Sequence, residues 1–189
     1  MLVLLARHGQ TDWNAAGRIQ GASDIALNAR GRAEARALAE RLLSRGAEAP
    51  RLVYTSPLSR ARETAEIAAA ALGVPVIPAQ ELTELNFGRW EGCTWKEIGR
   101  RWPMDFERYS ADRLNYVPPG GESYADMLAR ALPFVTGLRR LDGERCVLCV
   151  AHSAVLRALL AHERGIGIPE SYKKLRLPNA ALFELKSLV

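Results

Sequence analysis

Cysteine, histidine and long apolar runs are all scarce in this 189-residue chain, and each scarcity removes a class of function. Three cysteines, an odd number with no export-type opening, exclude a disulfide framework and point to reduced thiols. Cys146 and Cys149 form a CxxC, but Cys146-Val147-Leu148-Cys149-Val150-Ala151 reads as a buried strand. Residues three apart on a strand face opposite ways and cannot share one ion, so packing is the favoured role and metal the disfavoured one. Met1-Leu2-Val3-Leu4-Leu5-Ala6 is too short for a signal core and has no basic flank, and no apolar stretch approaches the roughly 20 residues that span a bilayer. The expectation is a soluble, cytoplasmic protein with no membrane partner. Low-complexity tracts and internal repeats are absent too. The formal net charge of +5 suits an anionic ligand, but the arginines are spread along the chain with no nucleic-acid module signature, so no nucleic-acid partner is expected.

What is present fits one globular unit over residues 1–189, with 48% hydrophobic and 25% charged residues. Apolar runs at 2–6, 52–55, 74–77 and 146–151 alternate with segments of helical spacing near 29–45, 57–72, 94–102, 122–140 and 153–164. That alternation predicts an α/β fold, a three-layer sandwich around a mostly parallel sheet. Leu182-Phe183-Glu184-Leu185 is predicted as a last strand at an edge, antiparallel to the rest. Ser56 is expected to cap the second helix with Pro57 in its first turn, and Gly46 and Gly73 to stop the first two helices. Residues 86–121 stand apart, carrying Trp90, Trp95, Trp102, Phe106, Tyr109 and Tyr116 among arginines and ending in Pro118-Pro119-Gly120-Gly121. They read as an insertion forming a lid or pocket wall.

Ligands of open α/β sheets sit outside the carboxyl ends of the strands, so the loops after Ala6, Thr55, Ile77 and Ala151 should meet at one crevice. Those loops supply Arg7 and His8; Arg60; Glu81 and Glu84; and His152-Ser153-Ala154. Each has a plain structural reading, as a solvated cation, a surface acid or a hydrogen-bonded cap. Their predicted convergence favours chemistry on an anion: a neutral imidazole is a nucleophile, and a guanidinium beside it offers the planar fork that suits phosphate. Phosphoryl transfer through a phosphohistidine follows as the working hypothesis.

Six ordered blocks carry a family resemblance: Arg7-His8-Gly9-Gln10-Thr11 with Asn14; Gly17-Arg18-Ile19-Gln20-Gly21; Ser56-Pro57-Leu58-Ser59-Arg60-Ala61; Glu84 through Gly92; Pro119-Gly120-Gly121-Glu122-Ser123; and Ala151-His152-Ser153. Together they span nearly the whole chain, and it resembles the histidine phosphatase superfamily in its phosphoglycerate mutase-like branch. The resemblance implies that His8 is the phosphate-accepting nucleophile, that Arg7, Arg60 and His152 surround the transferred phosphoryl group, and that Glu84 is the acid/base. It also implies phosphate or substrate contacts from Asn14, Gln20, Gly21, Ser153 and Ala154, the last through the backbone amide after His152-Ser153. Neither metal nor cofactor is implied, and the partner is a small-molecule phosphate monoester. The family's block after its second histidine is glycine-rich, whereas Ser153-Ala154 stands here.

The blocks around Gln10-Thr11, 87–92 and 120–123 look more like the family's small phosphatases, the α-ribazole-phosphate phosphatases among them, than its longer glycolytic mutases. A mutase and a non-catalytic phosphate-ligand binder are the alternatives. Two further questions stay open at this level: whether the aromatic residues of the insertion wall a leaving group or pack on one another, and whether Arg89, Lys96, Arg100 and Arg101 meet a substrate carboxylate or water. His162, at a helix end, reads as a partner of the helix dipole. The chain does not specify an oligomeric state.

Overall fold

In the computed structural model, which describes residues 1–138 and 146–185, elements follow in the order β1 (Leu2–Arg7), α1 (Asp12–Ala15), α2 (Ala29–Leu43), β2 (Leu52–Thr55), α3 (Ser59–Leu72), β3 (Val76–Pro78), α4 (Trp95–Arg101), α5 (Pro103–Ala111), α6 (Tyr124–Leu138), β4 (Cys146–Ala151), α7 (Ser153–Glu163), α8 (Ile168–Lys174) and β5 (Leu182–Leu185). The strands form one sheet in the order β3-β2-β4-β1-β5. β1 and β2 both pair parallel to β4, β3 pairs parallel to β2, and β5 closes one edge antiparallel to β1. This is the mostly parallel sheet with an antiparallel edge strand that the sequence pattern predicts.

The apolar runs are continuous because the central strands are covered on both faces. β4 is buried at all six positions, and its side chains divide by parity. Cys146, Leu148 and Val150 pack with Leu4, Ala6 and Val53 beneath Leu38 and Leu42 of α2 and the alanines of α3. Val147, Cys149 and Ala151 pack with Val3 and Leu5 beneath Met127, Ala131 and Val135 of α6 and the apolar face of α7. The two cysteines of the CxxC therefore lie on opposite faces of the sheet, and burial pushes their thiols up, to about 11 for Cys146 and about 12 for Cys149. The buried apolar face of α3 is built from small alanines (Ala61, Ala65, Ala68), and that of α2 from Leu38 and Leu42 with Ala35 and Ala39.

Several boundaries differ from expectation for identifiable reasons. Ser56 does not cap α3: the helix begins at Ser59 after Leu58, and the Ser59 amide donates to Asp24 Oδ1 at 2.7 Å, a cap supplied from 35 residues away. α2 ends at Leu43 and its first turn is capped by Asn28 Oδ1 on the Gly31 amide; Gly46, at φ 57°, opens a 3-10 turn instead of stopping the helix. Gly73 does stop α3, in the left-handed conformation at φ 67°. β3 sits one to two residues later than the run at 74–77. α1, α5 and α8 were not anticipated, and positions 139 and 140 of the expected helix at 122–140 lie outside the described residues. Among the described residues no helix is long and apolar enough to cross a membrane.

The segment 86–121 folds around its own aromatic cluster. Trp90 is fully buried, stacked on Tyr116 (centroids 5.9 Å) and edge-on to Tyr109 (5.4 Å), and Trp95 stacks on Tyr109 at 5.4 Å. Arg130 of α6 links this segment to the turn after β3: it bonds Glu122 Oε1 at 2.8 Å, which also accepts the Asn86 amide at 3.0 Å, and the carbonyl of Glu81 at 2.7 Å, just before Glu84.

Candidate active site

The carboxyl ends of β1, β2 and β4, with the turn that follows β3, deliver their post-strand residues to one crevice. Its cavity of about 200 Å³ is lined by Arg7, His8, Asn14, Gln20, Gly21, Arg60, Glu84, Ser153 and Ala154 among others, so most of the sequence-predicted residues share one space. His152 lies directly behind it, fully buried, with its ring 5.1 Å from that of His8 between centroids.

His8 is held by backbone groups and one side-chain amide. Its amide donates to Ala151 O at 3.0 Å, and its carbonyl accepts from the amide of Ala180 and from Asn179 Nδ2, both at 3.2 Å. Its Nδ1 lies 2.7 Å from the carbonyl of Gly9, an acceptor only, so that nitrogen carries the proton and Nε2 bears the lone pair. Burial, then Arg7 and Arg60, hold the imidazole well below its ordinary value, so the ring is neutral at neutral pH. Gly9 owes its place to close packing: a Cβ there would fall 2.3 Å from the carbonyl oxygen of Gly31 in α2.

The two arginines are anchored at one end and bare at the other. Arg60, fully buried on the first turn of α3, gives Nη1 to Ser23 O at 2.7 Å and Nη2 to Gly21 O at 2.8 Å. Arg7 gives Nη1 to Leu177 O at 2.5 Å. Among the described residues the Nε–H of each is buried without a hydrogen-bond partner, and so is Nδ1 of His152. Both guanidiniums are lowered from their ordinary value by burial, with Glu84 acting in the opposite direction. Arg60 is oriented through Glu91, whose carboxylate accepts from the amides of Ala22 (2.8 Å), Ser23 (2.9 Å) and Phe87 (3.1 Å) and so fixes the loop whose carbonyls grip the guanidinium. Gly21, at φ 54°, leaves room for that carboxylate, since a Cβ there would meet Glu91 Oε1 at 2.0 Å.

Glu84 is buried where the turn after β3 meets the N-terminus of α7. Oε1 accepts from the Leu85 amide at 2.9 Å and Oε2 from the Ala154 amide at 3.2 Å. Burial raises its carboxyl above the ordinary value, opposed by those amides and by Arg60 and Arg7. The amide after His152-Ser153, expected to face phosphate, is thus committed to Glu84. Asn14 is oriented by two neighbours: its Oδ1 accepts from Thr11 N (3.1 Å) and Asn179 Nδ2 (3.1 Å), which leaves its amide N–H groups for the cavity it lines. Gln20 Oε1 accepts from Thr11 Oγ1 at 2.9 Å.

The outer cavity wall is Phe87, Trp95, Tyr124, Tyr172 and Arg18. Of the insertion's aromatic residues named from sequence, only Trp95 reaches the cavity; Trp90, Phe106 and Tyr109 pack on one another and on Trp95. Arg89, Lys96, Arg100 and Arg101 do not line it. Arg101 instead lies 5.4 Å over the Trp102 ring, and the cation on the wall is Arg18, which donates to Gly92 O. Tyr124, Tyr172 and Asn179 also escape the sequence reading, and Ser56 enters it only as a helix cap and a motif residue. Tyr172 lies on α8 and Asn179 before β5, far down the chain from the motifs they serve. His162 sits in the last turn of α7, as expected. Among the described residues no group of three or more histidine, cysteine or acidic side chains is arranged to hold a metal ion.

The profile of the histidine phosphatase superfamily (branch 1) matches residues 3–187. The 6-phosphofructo-2-kinase/fructose-2,6-bisphosphatase of Gallus gallus is 40% identical over 160 residues, which cover 85% of this chain and 32% of that protein. This chain therefore spans about a third of the length of several curated relatives. Phosphoserine phosphatase 1 of Hydrogenobacter thermophilus is 31% identical over 166 residues, covering 88% of this chain and 77% of that protein. Among solved structures, a mycobacterial glucosyl-3-phosphoglycerate phosphatase in complex with VO3 superposes with a TM-score of 0.85 at 33% identity over 97% of this chain and 91% of that one. The α-ribazole phosphatase of Shigella flexneri gives 0.84 at 27% identity over 97% and 89%.

Proposed function

The chain belongs to the histidine phosphatase superfamily, and from that premise we propose that it is a phosphomonoesterase acting on a small phosphate ester through a phosphohistidine at His8. The observation that carries this reading is the set of three buried nitrogens that have no hydrogen-bond partner among the described residues, Nε of Arg7, Nε of Arg60 and Nδ1 of His152, beside the His8 imidazole, whose proton on Nδ1 leaves Nε2 the lone pair. Buried polar groups are almost always paired, so three on neighbouring side chains mark a space shaped for an anion with several acceptor oxygens.

In the proposed reaction the lone pair of His8 Nε2 attacks phosphorus as the ester P–O bond breaks. Charge on the three equatorial oxygens is met by Arg7, Arg60, His152 and Asn14, so positioning and electrostatics supply most of the acceleration. The leaving alkoxide takes a proton from the Glu84 carboxyl, whose raised pKa favours the acid form. Water then attacks the phosphohistidine, its proton passing to Glu84 as the P–N bond breaks, and inorganic phosphate departs. Residues 86–121 serve as the substrate-facing wall of a single domain, reaching the cavity through Phe87 and Trp95.

A cavity of about 200 Å³ lies below the about 300–1,000 Å³ typical of sites for drug-sized ligands. It favours a phosphoryl group on a compact alcohol over α-ribazole phosphate, whose heterocycle would extend past Trp95 and Tyr172. Names of relatives point to phosphoserine, a glucosyl phosphoglycerate and α-ribazole phosphate alike. The deciding experiment is a phosphate-release panel with phosphoserine, 3-phosphoglycerate, a glycosyl phosphoglycerate, a sugar phosphate and α-ribazole phosphate, without any bisphosphate primer. Release from a compact ester, together with acid-labile phosphate on the wild type but not on His8→Ala, is the expected result. Turnover by His8→Ala, or phosphoryl exchange between 2- and 3-phosphoglycerate only after priming, would overturn it.

A further inference from the structure

We propose that Ser56 is a positioning residue that fixes His152 as a neutral ring with its proton on Nδ1, aimed at the transferred phosphoryl group. The inference rests on the reaction read above for its consequence, but its physical content is a tautomer that exists with or without turnover.

Ser56 is fully buried at the end of β2, held there by its amide, which donates to Val150 O at 3.0 Å. Its Oγ lies 2.8 Å from His152 Nε2 and also accepts the Leu58 amide at 3.3 Å. A hydroxyl has one proton to give, and among the described residues Ser56 Oγ has no acceptor except His152 Nε2. The proton therefore points to Nε2, which must then carry the lone pair, and the ring proton resides on Nδ1. That nitrogen is buried and, among the described residues, without a partner. The other arrangement, Nε2–H donating to Oγ, would leave two buried polar groups unsatisfied at once: the Ser56 hydroxyl proton with no acceptor, and a bare Nδ1 lone pair facing the site of an anion. An imidazolium fares no better at Ser56, because Nε2–H and Leu58 N–H would both point at Oγ and the hydroxyl proton would again be stranded. The surroundings act the same way, since Arg60, His8 and Arg7 crowd His152 and burial disfavours its charge.

The site therefore holds two neutral imidazoles with opposite polarity toward the phosphorus. His8 keeps its proton on Nδ1 against the Gly9 carbonyl and offers a lone pair; His152 keeps its own on Nδ1 and offers that proton. Backbone sets the first tautomer and a serine hydroxyl sets the second, from the same residue that the local motif presents as a helix cap.

The chain has three histidines, so 15N-histidine labelling and long-range 1H–15N correlation spectra report each ring individually, assigned with His162→Asn and His8→Asn. The expected result for the wild type at neutral pH is a His152 ring protonated at Nδ1 and not at Nε2. In Ser56→Ala the ring should populate the Nε2–H form, kcat should fall about tenfold, and Ser56→Thr, which keeps the hydroxyl, should recover most of that loss. A His152 ring bearing its proton on Nε2 in the wild type overturns the proposal without any variant having to fold. An unchanged tautomer in Ser56→Ala does so as well. If the wild-type tautomer is as stated while no phosphate ester is turned over, the failure belongs to the proposed reaction and not to Ser56.

Discussion

Glu84→Gln separates the two jobs assigned to one carboxyl group. As the proposed acid, Glu84 is needed in the first step only when the leaving oxygen is too basic to depart as its anion; as the proposed base, it is needed in the second step whatever the substrate. Glutamine is nearly isosteric but cannot exchange protons. It also cannot serve both amides that Glu84 now accepts, from Leu85 at 2.9 Å and Ala154 at 3.2 Å, because one side of the new amide is itself a donor. The structural cost is one unsatisfied buried N–H, about 1–3 kcal/mol, offset in part because a buried ionisable group is also removed. The fold should therefore survive, and the kinetic loss should reflect proton transfer.

Positioned acid/base groups contribute about 10²–10⁴ in rate, equivalent to about 3–5 kcal/mol of barrier. With an alkyl phosphate, steady-state phosphate release by Glu84→Gln should fall by that factor. With p-nitrophenyl phosphate, the first step should lose less than about tenfold while hydrolysis of the phosphohistidine slows fully. Stopped-flow absorbance should then show a burst of nitrophenolate stoichiometric with enzyme, followed by slow turnover, and the phosphoenzyme should accumulate in acid-quenched samples. Equal losses on both substrates with no burst would refute the dual role. A loss confined to KM would move Glu84 from the chemistry to binding.

Two further outcomes follow from burial and packing. His8 and His152 are held well below their ordinary value of 6.5, so the native state binds fewer protons there than the unfolded chain; their contribution to stability is complete above about pH 6.5 and is lost as pH falls. Glu84, raised above its ordinary 4.5, has the opposite sign: the native state holds its proton longer, so its term is most favourable below about pH 4.5 and declines as pH rises. Between those values the unfolded chain binds more protons at the two imidazoles and the native state more at Glu84, so the net slope is the imidazoles' rise in stability with pH less the opposing contribution of Glu84. Urea unfolding at half-unit pH steps measures it; a flat profile below pH 6.5 would show that the imidazoles are charged in the folded state. Separately, Gly31→Ala should destabilise by about 1–3 kcal/mol or more and impair activity together, because its Cβ would lie 2.0 Å from the Gln10 carbonyl oxygen and must drive α2 from the His8 loop. An unchanged denaturation midpoint would sink that reading.

The sheet was legible because strands covered on both faces write themselves as unbroken apolar runs, and β4 is the clearest case. The parity of its side chains even placed Cys146 and Cys149 on opposite faces. Placement of His8, Arg60, Glu84 and His152 followed from one topological rule about strand ends together with the motif blocks. What could not be read was long-range satisfaction of polar groups. Ser56 looks like a helix cap because Ser-Pro before a helix usually is one, yet the cap of α3 comes from Asp24 and the Ser56 hydroxyl is spent on His152. Asn179, which bonds both the His8 carbonyl and Asn14, has no sequence neighbour to suggest that it does so. The wall cation is likewise Arg18, from a loop, and not one of the arginines clustered in the insertion, because the insertion turns its aromatic side inward and its basic side out.

The state of charge of the site explains why these polar contacts matter. Arg7 and Arg60 are permanent cations, and among the described residues neither forms an ion pair with a carboxylate. Backbone carbonyls orient both of them without neutralising either. The neighbours that could vary are driven toward neutrality: His8 and His152 downward, Glu84 upward. The buried pocket thus holds two guanidinium charges that, among the described residues, no carboxylate pairs directly, an arrangement that suits a phosphate monoester dianion. An ion pair to a protein carboxylate would relieve the cost of burying those guanidiniums, but it would also compete with the ligand and weaken the field on the equatorial oxygens. Carbonyl anchoring gives orientation without that competition. It requires that nearby titratable groups be biased toward one protonation state, which is what the Gly9 carbonyl and burial do for His8, what burial does for Glu84 against the pull of its two amides, and what the Ser56 hydroxyl is inferred to do for His152.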